Sequence, residues 1–198
     1  MLFRSPVPVI ARVHGLATAA GCQLVGMCDL AVAGRDARFA VSGINVGLFC
    51  ATPGVALSRN VPRKAAFEML VTGDFVSAEQ ARELGLVNRV AAPEALDDEV
   101  EALVARIIAK PGVAVAMGKA LFYRQVEVGI DSAYADAGAT MATNMMDPCA
   151  LEGVQAFIEK RPPEWASARA SRGQPNTGLR FSTNAERPSM ASGLASVA

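Results

Sequence analysis

The feature that most constrains the fold is the way short apolar runs alternate with one helical stretch near the amino terminus. Residues 7–13 predict a buried strand, residues 17–28 a helix packed on most sides, and residues 30–33 and 38–42 two further short strands. Strands on either side of a helix need a crossover connection, which favours parallel pairing. The first part of the chain therefore predicts an α/β fold.

The pattern of apolar and polar residues divides the whole chain into three parts. Up to about residue 90, strand-like runs continue to alternate with helices, so residues 1–90 are expected to form the α/β core. Residues 91–165 carry apolar side chains at helical spacing only and predict a purely helical region. Residues 166–198 are rich in Ser, Ala, Gly and Arg without periodicity, which predicts a disordered tail.

Two local signals predict helix starts. Ser77 and Gln80 have the spacing of a capping box, in which each side chain hydrogen-bonds the backbone of the other residue. Asp147, followed by proline, is expected to begin the last helix. We expect three apolar side chains of that helix to be buried: Val154, Phe157 and Ile158.

Charge and hydropathy exclude two classes of protein. The 198 residues are 52% hydrophobic, which is ample for the core of one domain. The 19 basic and 19 acidic residues cancel, so we expect no nucleic-acid partner. The longest apolar-rich stretch, residues 15–34, is interrupted by Gln23 and Asp29, so we expect no membrane span.

The cysteines favour a reducing compartment. The four cysteines stand among apolar neighbours without a Cys-x-x-Cys pair, which favours free buried thiols over a disulfide framework. No His, Cys or carboxylate cluster has the spacing of metal ligands, so we expect no metal. The first residues meet two prolines before any long apolar run, so no targeting segment is expected in this chain.

Residues 10–23 carry the most chemical information. A strand-like run reaches a turn at Gly15, and three small residues then begin a helix: Ala19, Ala20 and Gly21. Free N–H groups in the first turn of a helix point outward at the positive end of its dipole. They can stabilise negative charge on a thioester or carboxyl oxygen. Because small residues also allow tight strand–helix packing, both interpretations stay open at this point.

Sequence motifs that are typical of one protein superfamily extend from this stretch through most of the chain. In order, they are residues 10–23, Cys28-Asp29-Leu30, Phe39, Gly47, Arg59, residues 66–73, 77–81, 85–87 and 156–163. With these motifs at matching spacings, residues 6–165 resemble the crotonase superfamily, also called the enoyl-CoA hydratase/isomerase superfamily. The resemblance implies a ββα spiral core, present here in part. It also implies a C-terminal helical region used for trimer assembly, and binding of acyl-CoA thioesters.

The resemblance also implies where the site lies. Family members hold the thioester oxygen between two backbone N–H groups, and the second donor matches Ala20 most nearly, with Gly21 beside it. True hydratases carry two glutamates, and this chain has Gln23 and Gly43 at those positions. Because glutamine exchanges no proton near neutral pH and glycine has no side chain, hydratase activity is doubtful. No catalytic residue is assigned.

Other implied contacts concern the coenzyme and the assembly. Lys160 and Arg161 match positions that can face coenzyme A phosphates, although a solvated helix end explains them equally well. Coenzyme A enters as part of the substrate, so no separate cofactor is expected. The partners implied are an acyl-CoA thioester and further copies of the chain in a trimer or hexamer. The implied compartment is mitochondrial for a eukaryotic source and cytoplasmic for a bacterial one.

Three alternatives remain open on sequence alone. Family chains have an N-terminal region with earlier strands and the first oxyanion donor, and no matching segment precedes residue 6 here. We therefore expect either poor stability or dependence on partner subunits. The chain could be a non-catalytic assembly subunit or a non-functional fragment. It could also be a hydratase with a relocated carboxylate such as Glu68, although Glu68 is expected to be structural, as are His14 and the helix-capping Asp29.

Overall fold

The computed structural model describes residues 2–165. Its strands are β1 (Ile10–Val13), β2 (Leu16–Thr18), β3 (Leu30–Gly34), β4 (Arg38–Ala40), β5 (Val76–Ser77) and β6 (Arg89–Ala91). Its helices are α1 (Ala20–Met27), α2 (Ala51–Asn60), α3 (Arg63–Thr72), α4 (Ala78–Glu83), α5 (Leu96–Ile108), α6 (Gly112–Gln125), α7 (Ile130–Met145) and α8 (Pro148–Glu159). Short 3-10 turns cover Leu2–Arg4, Ser42–Val46 and Pro93–Ala95. The predicted α/β class is confirmed.

The first sheet has the strand order β1-β3-β6, and all of its strands are parallel. Its register pairs Val13 with Ala33, and Ala33 in turn with Val90. Helix α1 lies in the crossover between β1 and β3, so the parallel pairing expected from the sequence is confirmed. On one side of this sheet, Val32 packs with Leu96 and Leu103 of α5.

The second sheet corrects two sequence predictions. Its order is β2-β4-β5, with β2 and β4 parallel and β5 antiparallel. Residues 16–18 form a strand, in which Ala17 pairs with Phe39 of β4. The helix that was predicted from residue 17 therefore begins only at Ala20. The strand predicted over residues 38–42 also ends earlier, at Ala40, because Ser42–Val46 forms a 3-10 turn. Short runs of small residues have no distinctive period, so pairing with Phe39 decided their conformation.

The predicted first strand also starts later than residue 7. The Val9 N–H donates to the Asp29 carboxylate at 2.6 Å, and the Val7 carbonyl accepts from the Lys119 ammonium at 2.9 Å. Side-chain partners thus take the Val7 carbonyl and the Val9 N–H, while the Val9 carbonyl accepts from the Asp29 and Leu30 N–H groups, and β1 begins at Ile10. Helix α1 is likewise less enclosed than predicted, because Leu24 is exposed and burial is confined to Cys22, Val25 and Gly26.

The predicted helix starts are confirmed. The Ser77 hydroxyl accepts from the Gln80 N–H at 3.2 Å, and the Gln80 side chain accepts from the Ser77 N–H at 2.9 Å. This reciprocal pair is the capping box. Asp147 caps α8 by accepting from the Cys149 N–H at 2.8 Å.

The C-terminal helices present an apolar surface to solvent. We expected three apolar side chains of α8 to be buried, and this is wrong: Phe157 is 85% exposed, and Val154 and Ile158 are also exposed. The buried residues of α8 are Cys149 and Ala156. Helical spacing identifies an apolar face but does not say what covers it, and within residues 2–165 this face has no cover.

Two further statements concern the described residues only. Within residues 2–165 the structure contains no helix with the length and hydropathy needed to cross a bilayer. The tail predicted to be disordered, residues 166–198, lies outside the described part of the chain.

Candidate functional site

Ala19 makes the turn between β2 and α1. Its backbone has φ 46° and ψ −111°, in the region of positive φ that alanine rarely adopts. Its N–H donates to the Ala40 carbonyl at 3.0 Å, and its carbonyl accepts from the Gln23 N–H at 3.0 Å. These two hydrogen bonds hold the strained turn between the end of β4 and the first turn of α1.

The first turn of α1 is open. Ala20 is exposed, and a Cβ placed on Gly21 would meet no atom within 4 Å. The amides that open a helix have no acceptor within the helix, and they lie at the positive end of its dipole. The structure therefore brings together, at Ala20 and Gly21, outward amides and free space in front of them. This is the geometry that a developing oxyanion needs.

Relieving the strain at residue 19 is expected to stabilise the protein. Glycine adopts positive φ without penalty, whereas a strained alanine costs about 1–3 kcal/mol. The extra conformational entropy of glycine in the unfolded state offsets part of this gain. Ala19→Gly should therefore raise the free energy of unfolding by about 1 kcal/mol and Tm by about 2–4 °C. Thermal unfolding followed by circular dichroism checks this.

Ala20→Gly is the matched control for that measurement. It makes the same chemical change one residue later, at the first helical position of α1, where the backbone is not strained. We expect it to leave Tm unchanged or lower it. Equal stabilisation by both variants would contradict strain at Ala19.

The first glutamate position of the hydratases holds Gln23, on α1. Gln23 is half-buried, and its backbone N–H is bonded to the turn at Ala19. Its side-chain amide can donate and accept hydrogen bonds but has no proton to exchange near neutral pH. It can orient a water or an acyl group, and it cannot act as a general acid or base.

The second glutamate position is closed to any side chain. A Cβ on Gly43 would lie 2.6 Å from the Leu48 carbonyl oxygen and 2.7 Å from the Cys50 sulfur. The Gly43 N–H donates to that sulfur at 3.3 Å. The loop after the Ser42–Val46 turn therefore folds over the position where a hydratase carries its carboxylate.

Two of the four thiols, Cys22 and Cys28, have raised pKa values. Burial, and then the nearby Cys50, raise the pKa of the Cys22 thiol to about 12. Burial and then the Asp29 carboxylate raise the pKa of the Cys28 thiol to about 11. All four cysteines are free, but only Cys22 and Cys149 are buried as predicted, and Cys28 and Cys50 are half-buried. A protonated thiol is a poor nucleophile, so Cys22 and Cys28 do not supply covalent chemistry here.

The predicted phosphate contacts lie far along the chain, at the end of α8. Lys160 is exposed and ends the helix with φ 55°. Arg161 forms a two-pronged ion pair with Glu152, at 2.6 and 3.0 Å, and a further one with Glu159 at 2.6 Å. The Arg161 guanidinium lowers the pKa of Glu152 to about 2. Contact with coenzyme A phosphates stays a prediction for both basic residues.

Glu68 and His14 are both exposed at the surface. Glu68 lines a groove of about 480 Å³ whose lining residues all belong to the outer face of α3. His14 is exposed, and its Nδ1 lies 3.4 Å from an Arg12 nitrogen. Within residues 2–165, no three His, Cys, Asp or Glu side chains are grouped as metal ligands would be.

Asp29 has a larger role than the helix cap that we expected. Besides the Val9 N–H, its carboxylate accepts from the Lys119 ammonium at 2.6 Å and from the Tyr123 hydroxyl at 2.7 Å. Both partners lie about 90 positions later, on α6. No local sequence pattern indicates a contact of that range, so sequence reasoning missed it.

The comparisons with known proteins agree with the fold described above. The family model for enoyl-CoA hydratase/isomerase matches residues 1–168 of the 198. The chain belongs to the enoyl-CoA hydratase/isomerase family. The resemblance found in the sequence motifs is thereby confirmed.

The names of individual relatives of this family member also refer to enoyl-CoA hydratase. Zebrafish enoyl-CoA hydratase domain-containing protein 3, mitochondrial, is 49% identical over 162 residues, which are 82% of this chain and 56% of that protein. The chain thus spans about half the length of the curated relatives it matches.

Two crystal structures share the crotonase-like fold. An enoyl-CoA hydratase from Mycobacterium smegmatis is 80% identical with a TM-score of 0.82, covering 83% of this chain and 64% of that one. Human enoyl-CoA hydratase domain-containing protein 3 is 47% identical with a TM-score of 0.80, covering 83% and 65%.

Proposed function

We propose that this chain binds acyl-CoA thioesters through the amides that open α1, and that it is a poor hydratase. The observation that carries the proposal is the open first turn at Ala20 and Gly21, which follows the strained turn at Ala19. A thioester oxygen in front of these amides would accept hydrogen bonds and meet the positive end of the α1 dipole. Family membership supports the substrate class.

The chemistry beyond binding is limited by two positions. Adding water across a double bond needs groups that deliver and remove protons, and Gln23 and Gly43 supply neither. Beside a polarised thioester, the side-chain amide of Gln23 can hold an acyl group or a water in place. We therefore propose a role in fatty-acid metabolism that rests on binding an acyl-CoA rather than on rapid hydration.

Blocking the space in front of the amides tests this proposal. Gly21→Leu places a side chain where nothing lies within 4 Å, so the fold accommodates it while the ligand is displaced. We expect the variant to weaken acyl-CoA binding at least about tenfold, measured by isothermal titration calorimetry with crotonyl-CoA and a long-chain acyl-CoA.

Gly118→Leu is the control. It makes the same change at another open glycine, on α6. We expect its affinity to equal that of the unaltered chain. The proposal would be contradicted if the unaltered chain gave no saturable heat of binding. It would also be contradicted if both variants lost acyl-CoA affinity equally.

A second candidate is a subunit that acts by assembly. The observation in its favour is the uncovered apolar surface on the C-terminal helices, which is larger than single exposed side chains explain. Its members on α7 and α8 include Ile130, Tyr134, Met141, Leu151, Val154, Phe157 and Ile158. We propose that copies of the chain, or full-length relatives, associate through this face into a trimer or hexamer.

Charge replacement on this face tests the assembly. Val154→Asp with Phe157→Asp should shift the sedimentation-equilibrium mass from that of an oligomer to that of a monomer, because two charges would have to be buried at the interface. Gln155→Asp, on the same helix, is the control and should leave the mass unchanged. A monomeric mass for the unaltered chain at all concentrations would contradict self-assembly.

The cellular setting follows from the relatives. Curated relatives from vertebrates are named as mitochondrial, and an 80% identical structure comes from a bacterium. We propose a mitochondrial location for a eukaryotic source and a cytoplasmic one for a bacterial source. Coenzyme A is part of the ligand in this proposal, and Lys160 and Arg161 remain its proposed phosphate contacts.

A further inference from the structure

One buried polar group joins three distant parts of the chain. We call it the anchor cluster and define it as Asp29, Lys119 and Tyr123. Lys119 is only 9% exposed, and it is the buried residue of α6. Its ammonium donates to the Asp29 carboxylate at 2.6 Å and to the carbonyls of Val7 and Leu2 at 2.9 and 3.1 Å.

The cluster is fully hydrogen-bonded. The three protons of the Lys119 ammonium match its three acceptors. The Asp29 carboxylate also receives the Tyr123 hydroxyl at 2.7 Å, and burial and this hydrogen bond raise the pKa of Tyr123. Such a network is worth more than a surface ion pair, because breaking it strands a buried charge.

The helices beyond α5 have little other attachment to the core. We call α6, α7 and α8 together the arm. Within the described residues α7 has no buried residue, and α6 packs mainly on α7 and on the turn at Leu2–Arg4. Within residues 2–165, polar contacts from the arm side to the rest also include Arg59 to Glu127 at 3.4 Å, and Trp165 to the Ala109 carbonyl at 2.9 Å. Both are at the surface.

We propose that the anchor cluster is a latch that fixes the arm on the core, and that opening it releases the arm as a unit. The hinge is the connection between α5 and α6, where Pro111 precedes Gly112 and Gly112 has open space around it. Core helix α5 stays in place, because Leu96 and Leu103 pack with Val32 of β3.

This latch predicts a local opening rather than a loss of global stability. Regions with few buried apolar contacts open at lower free energy than the core and exchange their amide hydrogens faster. The apolar cluster around Phe39 and Leu57 contains none of the arm residues. Removing the ammonium should therefore loosen the arm while the core keeps its protection.

Amide hydrogen exchange of the whole chain, followed by mass spectrometry, tests the latch. Lys119→Met removes the ammonium, and we expect exchange in residues 112–159 to rise at least about tenfold. Exchange in residues 51–72, which form α2 and α3 of the core, should change less than about twofold. Tyr123→Phe removes one hydrogen bond to Asp29 and should produce a smaller rise in the same residues.

Arg124→Ala is the control, because Arg124 pairs with Asp136 inside the arm and does not touch the core. It should leave exchange nearly unchanged. The latch would be refuted if Lys119→Met raised exchange equally in the arm and in residues 51–72. It would also be refuted if neither Lys119→Met nor Tyr123→Phe changed the arm, or if Arg124→Ala matched Lys119→Met.

Discussion

Gly43→Ala is expected to lower the stability of the protein strongly, and Gly43→Glu at least as much. A Cβ at residue 43 would lie 2.6 Å from a backbone oxygen of Leu48, which cannot turn aside as the end of a flexible side chain can. Relief requires the loop up to Cys50 to move. Overpacking of this kind costs about 3 kcal/mol, which lowers Tm by about 6–12 °C.

The comparison for this effect is Gly118→Ala. It adds the same methyl group on α6, where nothing lies within 4 Å. Alanine favours a helix over glycine, so Tm should stay constant or rise slightly. Both variants are followed by thermal unfolding under the same conditions. If Gly43→Ala melted at the temperature of the unaltered chain, the closed position described above would be wrong.

The second large effect is on turnover. Each positioned acid or base typically contributes about 10²–10⁴-fold to the rate, and this chain lacks two of them. Hydration of crotonyl-CoA should therefore be at least about 10⁴-fold slower than in a crotonase-fold hydratase that carries both glutamates. The loss of enoyl-thioester absorbance, measured for both proteins at high enzyme concentration, gives the ratio.

Gln23→Glu refines this measurement. It restores one carboxylate on α1 without the steric conflict found at Gly43, so it should raise hydration by no more than the share of one such group, about 10²–10⁴-fold. Binding of crotonyl-CoA by the same variant, measured by calorimetry, separates a loss of chemistry from a loss of the ligand. Hydration by the unaltered chain within tenfold of the reference hydratase would show that acid–base groups lie elsewhere.

The parts of the fold that sequence predicted well are those with a distinctive local signal. The apolar run of β3, the capping box at Ser77 and the N-cap at Asp147 all depend on residues within a few positions of one another. Strand β2 was missed because Leu16, Ala17 and Thr18 have no clear period and owe their conformation to β4. Distant partners cannot be read from a local pattern.

The site shows the same division. A helix that starts near Ala20 was predicted from the small residues and from the family motifs, but the strand directly before it, β2, was not. The positive φ of Ala19 could not be predicted, because nothing in an alanine indicates that a carbonyl at Ala40 will hold it there. Likewise, the sequence showed that Gly43 lacks a carboxylate, and only the fold shows that Leu48 and Cys50 fill the space.

The alanine at position 19 has a consequence for finding proteins of this kind. Searches that recognise such helix starts by consecutive glycines would pass over a chain in which an alanine adopts the positive φ of the turn. A search on backbone torsion angles would find it. Other turns of this kind, in which an alanine with positive φ precedes a helix, are therefore to be sought by backbone conformation rather than by sequence.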